Sequence, residues 1–138
     1  MLEVDLLFIY GTLLPAFNNP ESNWLKEKSE PLSEGYMSGL LYKVADYPGA
    51  VYLHQSVTKV YGLIVKMNDA SAVLSHLDRY EEVNPENPDK GEYIRQVHTI
   101  NGFDGIKRKC WVYLYNCDVR DLELIKSGDY FTFFHCNF

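Results

Sequence analysis

The apolar positions of this chain repeat in ways that divide it into strands and one amphipathic helix. Leu6-Leu-Phe-Ile-Tyr10 is a continuous apolar run halted by Gly11, the pattern of a strand buried on both faces and central in its sheet. Asn19 is placed to cap a short helix with Pro20 in its first turn, running through Trp24 to Lys28 and turning Trp24 and Leu25 to the core. Gly35 to Val44 reads as a strand that ends at Asp46-Tyr-Pro-Gly49, where Pro48 and Gly49 match the central positions of a type II turn. Val57 to Met67 is a strand with a bend at Gly62, a residue whose missing side chain suggests a bulge or a close approach.

After Asn68 or Asp69 as a cap, Val73, Leu74 and Leu77 follow helical spacing to a helix end near Tyr80. Val83 to Gly91 holds Asn84-Pro85 and Asn87-Pro88, a proline density that excludes regular structure and makes it an exposed loop. Glu92 to Ile100 and Lys107 to Tyr115 are strand-length runs separated by Asn101-Gly102 and Asp104-Gly105, which predicts an antiparallel hairpin. Tyr130 to Phe134, after the Ser127-Gly128-Asp129 turn, fits strand or helix equally well. Mostly strands with a helix between them predict an α+β domain with a curved or closed sheet. With no repeat or linker to divide it, the chain of 138 residues is expected to be one domain, residues 1–138.

Composition narrows the function. The 19 Asp plus Glu against 13 Lys plus Arg give a net charge of -6, which disfavours a nucleic-acid partner. The only basic run, Lys107-Arg-Lys109, reads as the solvated start of a strand. Met1-Leu-Glu-Val-Asp-Leu6 carries acids where a signal peptide needs positive charge, and no apolar run approaches a membrane span of roughly 18 residues. A cytoplasmic protein with no membrane partner is the expectation. The three cysteines, Cys110, Cys117 and Cys136, form no CxxC pair, and the four histidines show no metal-ligand spacing. Reduced thiols and no metal are expected. Nor is there a GxSxG elbow, a dinucleotide fingerprint or a Walker loop, so neither a serine nucleophile nor a nucleotide cofactor is implied.

Three groups of residues could carry chemistry. Leu74, Leu77 and Glu81 stand at i, i+3 and i+7, which puts a carboxylate on the apolar stripe of the helix, while Glu82 shares a face with Ser75 and Asp78. A carboxyl facing the core gains a raised pKa suited to a general base, whereas a frayed helix end would turn Glu81 to water. Tyr10-Gly-Thr-Leu13 places a turn directly after a buried strand, where backbone N–H groups can form an anion-holding nest or simply reverse the chain. Tyr93 and Arg95 share one strand face, and Trp111, Tyr113 and Tyr115 share a face of the next, lining a polar pocket or an ordinary half-buried sheet.

Together, Phe8-Ile-Tyr-Gly-Thr-Leu-Leu14, Gly39-Leu-Leu-Tyr42, Tyr47-Pro-Gly-Ala-Val51, Leu77-Asp-Arg-Tyr-Glu81 and Tyr93-Ile-Arg95 resemble the gamma-glutamylcyclotransferase-like family in order and spacing over nearly the whole chain. Each motif is weak alone; jointly they are specific. The resemblance implies a compact mixed β-barrel with flanking helices and a pocket beside the loop after the first strand. It implies a cofactor-free cyclotransferase whose small-molecule partner is a γ-glutamyl amide or amine conjugate. The substrate's α-amino group attacks its own γ-carbonyl and releases 5-oxoproline, with Glu81 as acid/base. Tyr10, Gly11, Thr12 and Leu13 would hold the α-carboxylate, with Tyr93, Arg95 and Tyr115 as further substrate contacts. A noncatalytic module of the same fold, binding a small metabolite, is the alternative. Two departures bear on the substrate: Glu82 stands where the family commonly has glycine and would repel an acidic ligand, and the 11 residues from Glu82 to Glu92 form a long link that would act as a lid or narrow the pocket.

Overall fold

The computed structural model of the protein describes residues 4–84, 86–87 and 90–136. Pro85 and Pro88 of the expected loop therefore lie outside the described residues, as do the first three residues and the side chain of Cys136. The strands are β1 (Leu6–Ile9), β2 (Ser29–Lys43), β3 (Pro48–Tyr52), β4 (Lys59–Met67), β5 (Tyr93–Gly102), β6 (Lys107–Tyr115) and β7 (Glu123–Leu124). The helices are α1 (Pro20–Glu27), α2 (Ala70–Tyr80) and α3 (Tyr130–Cys136), with a 3-10 turn at Pro15–Phe17.

The order β2-β4-β1-β6-β5 closes on itself because Gly35 and Tyr36 of β2 pair with Gly102 and Asn101 of β5. Five strands thus form a barrel, antiparallel throughout except for the parallel contact of β1 with β6 at Leu7 and Trp111. The long strand β2 runs past the barrel, and its far end pairs with β3 and β7. Closure joins β2 to β5 at the Asn101–Gly102 end, so the sheet edges meet there and residues 93–100 of β5 are paired with β6 alone.

Alternation along β1 explains its continuous apolar run. Phe8 and Tyr10 enter the barrel interior with Met37, Ile64 and Val112, whereas Leu7 and Ile9 face outward against Leu25 of α1 and Val73, Leu74 and Leu77 of α2. The helices cover the outer face of the same strands that line the barrel, so one strand serves two cores. Asn19 caps α1 with a reciprocal pair of bonds to Ser22, and Asp69 caps α2. Asp129 caps α3 through Thr132 N–H, which decides for helix the segment that periodicity left open.

Two expectations around glycines are revised. Pro48 and Gly49 are not the centre of a type II turn: Gly49 has no positive φ and pairs with Tyr42 inside the sheet, while the reversal comes earlier, where Val44 and Ala45 N–H donate to the Tyr47 carbonyl. A Cβ on Gly49 would sit 2.7 Å from Cβ of Tyr115, so glycine is needed there for close packing rather than for turn geometry. At Gly62 a Cβ would lie 2.2 Å from the Ile9 carbonyl oxygen, so the close approach holds, and the register shift lies instead in β2 between Pro31 and Ser33. The Asn101-Gly102 pair belongs to β5, and the hairpin turns after it, at Gly105 with φ of 85°.

Candidate active site

At one end of the barrel a cavity of about 250 Å³ opens between the loop after β1, the start of β3, the end of α2 and the start of β5. Its wall includes Tyr10, Gly11, Thr12 and Leu13 from the loop after β1, Tyr80, Glu81 and Glu82 from the end of α2, Glu92 and Tyr93 from the start of β5, and Tyr47 and Pro48. The volume is just below that of most ligand clefts, which run roughly 300–1,000 Å³, and suits one amino-acid-sized group.

Glu81 follows the last residue of α2, and its N–H still donates to the Leu77 carbonyl at 2.8 Å. The helix therefore holds through Glu81 and keeps the carboxylate on the stripe of Leu74 and Leu77 instead of fraying. The residue is half-buried, and burial of the carboxyl, with the Glu92 carboxylate as a second cause, pushes its pKa up to about 8. Among the described residues no Arg or Lys lines the cavity to neutralise it.

The loop after β1 offers donors. A single backbone bond from Leu14 N–H to the Gly11 carbonyl closes the turn, and among the described residues the N–H groups of Gly11, Thr12 and Leu13 donate to no protein acceptor. Thr12 is anchored through its carbonyl, which accepts from Asn19 Nδ2 at 2.8 Å. The Tyr10 hydroxyl donates to the Tyr113 carbonyl at 2.6 Å and accepts from Ala50 N–H at 3.1 Å, tying β1 to β6 and β3. Burial above all, then the nearby Glu81, raises its pKa, so it stays a neutral phenol. Tyr93 lines the cavity with its hydroxyl spent on the Pro48 carbonyl at 2.6 Å.

Two expected contacts are not in the wall. Arg95 Nε and Nη2 bond both carboxylate oxygens of Asp78, at 2.8 and 3.1 Å, and its guanidinium lies 4.3 Å from the centre of the Trp111 ring. Arg95 shares the face of Tyr93, as alternation requires, but the rise of two residues, roughly 7 Å, carries it along β5 away from the barrel mouth and under α2. Tyr115 stands directly opposite Tyr93 across the hairpin and packs edge-on against it, supporting the wall from behind.

Sequence reasoning assigned no site role to Glu92 or Tyr47. The Tyr47 hydroxyl donates to Glu92 Oε2 at 2.5 Å, and that bond is the main reason the Tyr47 pKa is raised. The backbone of Glu92 is fixed on both sides, its N–H donating to the Glu82 carbonyl and its carbonyl accepting from Asn116 N–H. An acid beside the Tyr-x-Arg motif was the available signal, but a residue outside the strand carries no periodicity from which to assign its face.

Glu82 does not continue the face of Ser75 and Asp78. Its φ of 55° is left-handed, and the bonds from Glu82 N–H to the Arg79 carbonyl and from Val83 N–H to the Asp78 carbonyl form a helix terminator normally completed by glycine. Glu82→Gly is expected to stabilise the fold by about 1 kcal/mol, the cost of a left-handed side-chain residue, measured as a raised urea midpoint at unchanged slope.

Among the described residues no group of His, Cys, Asp and Glu is arranged to hold a metal, and no helix is long and apolar enough to cross a membrane. Cys110 is buried and Cys117 exposed, both free.

Comparison with known proteins agrees with this architecture. Residues 7–132 match the family model described as gamma-glutamyl cyclotransferase, AIG2-like. The gamma-glutamylcyclotransferase family protein YtfP of Escherichia coli is 30% identical over 125 residues, covering 90% of this chain and 94% of the relative. The solution structure of YtfP superposes with a TM-score of 0.62 at 29% identity, over 90% of this chain and 94% of that one. The crystal structure of a mouse AIG2-like protein gives a TM-score of 0.67 at 20% identity, over 91% and 88% of the two chains, and at that identity shows the fold alone. YkqA of Bacillus subtilis gives 0.69 at 20% identity, the match spanning 93% of this chain but 40% of that longer one.

Proposed function

Because this chain belongs to the gamma-glutamyl cyclotransferase, AIG2-like family, we propose that its cavity converts a γ-glutamyl amide or amine conjugate to 5-oxoproline and the free amine, without a cofactor. The observation that supports this reading is a desolvated carboxylate, Glu81, lining the same small cavity as residues 11–13, whose backbone N–H groups donate to no acceptor among the described residues.

The substrate supplies its own nucleophile, so the protein needs only to hold, fold and deprotonate it. The N–H groups of Gly11, Thr12 and Leu13 take the α-carboxylate. Its α-ammonium then lies toward Glu81, which accepts a proton. The freed amine attacks the γ-carbonyl and the ring nitrogen–carbon bond forms; Glu81 returns its proton to the amide nitrogen as the amide carbon–nitrogen bond breaks, and the second proton of the ring nitrogen passes through Glu81 to the departing amine, which leaves as an ammonium. No water is consumed. Holding the folded conformer supplies much of the rate through proximity. Tyr10, Tyr47 and Tyr93, all held neutral, shape the wall around this path.

The test is release of 5-oxoproline from a panel of γ-glutamyl amino acids and γ-glutamylamines. Turnover of any member by the wild type supports the reading; tight binding without turnover of any would make the noncatalytic module the better account. The pH profile adds a check. A base with a pKa of about 8 in the free protein predicts that kcat/KM rises with pH through about 8, while the substrate's ammonium brings the corresponding limb of kcat to lower pH.

Stability should run the opposite way. The folded protein holds the Glu81 proton up to about 8 and the unfolded chain only to the model-peptide value of 4.5, so the folded state binds more protons between them. Stability is expected to fall as pH rises across that window. The urea midpoint should show this in wild type, with the slope against pH reduced in Glu81→Gln.

A further inference from the structure

The loop that carries the free N–H groups and the segment that carries Tyr47 meet each other directly, since a Cβ on Gly11 would sit 2.7 Å from Cγ of Pro48. The position of one therefore limits the other. Each has an anchor of its own, Asn19 Nδ2 on the Thr12 carbonyl and Glu92 on the Tyr47 hydroxyl. Both are also held by α3, a helix remote from them in sequence. The loop runs on from Gly11 through two successive turns, Leu14 N–H to the Gly11 carbonyl and Phe17 N–H to the Leu14 carbonyl, so Phe17 is its outer end. The Phe17 ring lies 5.5 Å from the Tyr130 ring and stands edge-on to those of Phe131 and Phe134, at 5.6 and 5.3 Å. Tyr130, buried in the barrel core, donates its hydroxyl to the Asp46 carbonyl at 3.0 Å, one residue before Tyr47.

We propose that α3 is a clamp on the cavity rim, with Phe17 and Tyr130 as positioning residues: it sets the loop of residues 11–14 against Pro48 and Tyr47 against Glu92, and so fixes the affinity of the site for the carboxylate that the loop receives. Among the described residues no side chain of α3 lines the cavity, so the effect reaches the ligand through those two segments. The clamp rests on the cyclotransferase reading above only for the identity of that ligand as a glutamyl carboxylate. The reason is geometric. Several N–H groups bind one anion well only when they are aimed together, and a turn tied at a single carbonyl still rocks about it. Phe17 supplies the second tie, because a ring set edge-on between two others has few orientations left. The Asp46 bond does the same for the reversal in which Val44 and Ala45 N–H donate to the Tyr47 carbonyl.

Three variants are compared at a temperature where each is folded. Tyr130→Phe removes the bond to Asp46 and keeps the ring against Phe17. Phe17→Leu keeps an apolar side chain and removes the ring, and Phe131→Leu takes its place if that variant does not fold. Ile100→Val, a core truncation near the far end of β5, controls for lost stability alone. The readouts are the backbone amide NMR signals of residues 11–13, the Kd of 5-oxoproline, which retains the α-carboxylate, and kcat and KM for its release. In both clamp variants Kd and KM are expected to rise about 5-fold or more with kcat changed less than about 3-fold, and the amide signals to shift. Ile100→Val should lower the melting temperature and move none of these. A merely structural α3 would lower the folded fraction, and with it the apparent kcat, while leaving KM, Kd and the amide signals in place; that result overturns the clamp. Should the wild type not bind 5-oxoproline, the amide signals decide alone, and unshifted signals overturn it. The expected rise in Kd with no 5-oxoproline released from any conjugate would instead retire the cyclotransferase reading and leave the clamp standing.

Discussion

Glu81→Gln is expected to lower kcat for 5-oxoproline release by about 100-fold or more, with a much smaller change in substrate affinity. Glutamine keeps the size of the side chain and its place after α2, but it cannot take a proton from the α-ammonium or return one to the departing amine. No second group in the wall can replace it. Glu82 is exposed, Glu92 is tied to Tyr47, and the tyrosine hydroxyls are held neutral by burial or by their hydrogen bonds. The remaining rate comes from the backbone N–H groups and the folded conformer. A loss of kcat confined to a few-fold would mean that the substrate's amine loses its proton elsewhere, and the role of Glu81 would then be given up.

Asp78→Ala should cost about 3 kcal/mol of unfolding free energy, because Asp78 accepts from two guanidinium nitrogens of Arg95, Nε and Nη2, and from the Tyr113 hydroxyl at 2.7 Å. The value lies at the low end for a broken buried pair, since the Arg95 and Asp78 side chains retain 23% and 19% exposure. Tyr113 keeps a weaker acceptor in the Leu74 carbonyl, at 3.4 Å, but Arg95 is left charged between α2 and Trp111. Arg95→Met, which retains the stem over Trp111, should also lower the melting temperature, yet change KM by less than about 3-fold. The pair anchors the helix that carries Glu81 and does not touch the substrate. A normal melting temperature with KM raised more than about 10-fold would restore Arg95 as a binding residue.

These two outcomes divide the part of the site legible in the sequence from the part that was not. Glu81 was legible because helical spacing is local: three positions on one stripe fix which way a carboxylate faces, provided the helix reaches it. The turn after β1 was legible for the same reason, a buried strand followed at once by glycine. Arg95 was misplaced because a shared strand face does not say how far from the barrel mouth each residue lies, nor that Asp78 of α2 stands over it. Glu92 and Tyr47 were missed because each lies just outside a strand and they are distant in sequence; only the packing of β3 against the β5–β6 hairpin brings them within a hydrogen bond.

The chain by itself determined its local geometry: the doubly buried first strand, the cap at Asn19 and one at Asn68 or Asp69, the helix ending near Tyr80, and the motifs that identify the family. Propensity, periodicity and capping act over a few residues, so they are written in order along the sequence. Tertiary structure alone decided that three N–H groups and three carboxylates share one cavity. It also turned Glu82 left-handed to end α2 and drew Arg95 to Asp78. Those outcomes depend on which strands close the barrel, and closure is set by packing summed over the whole chain, not by the residues it brings together.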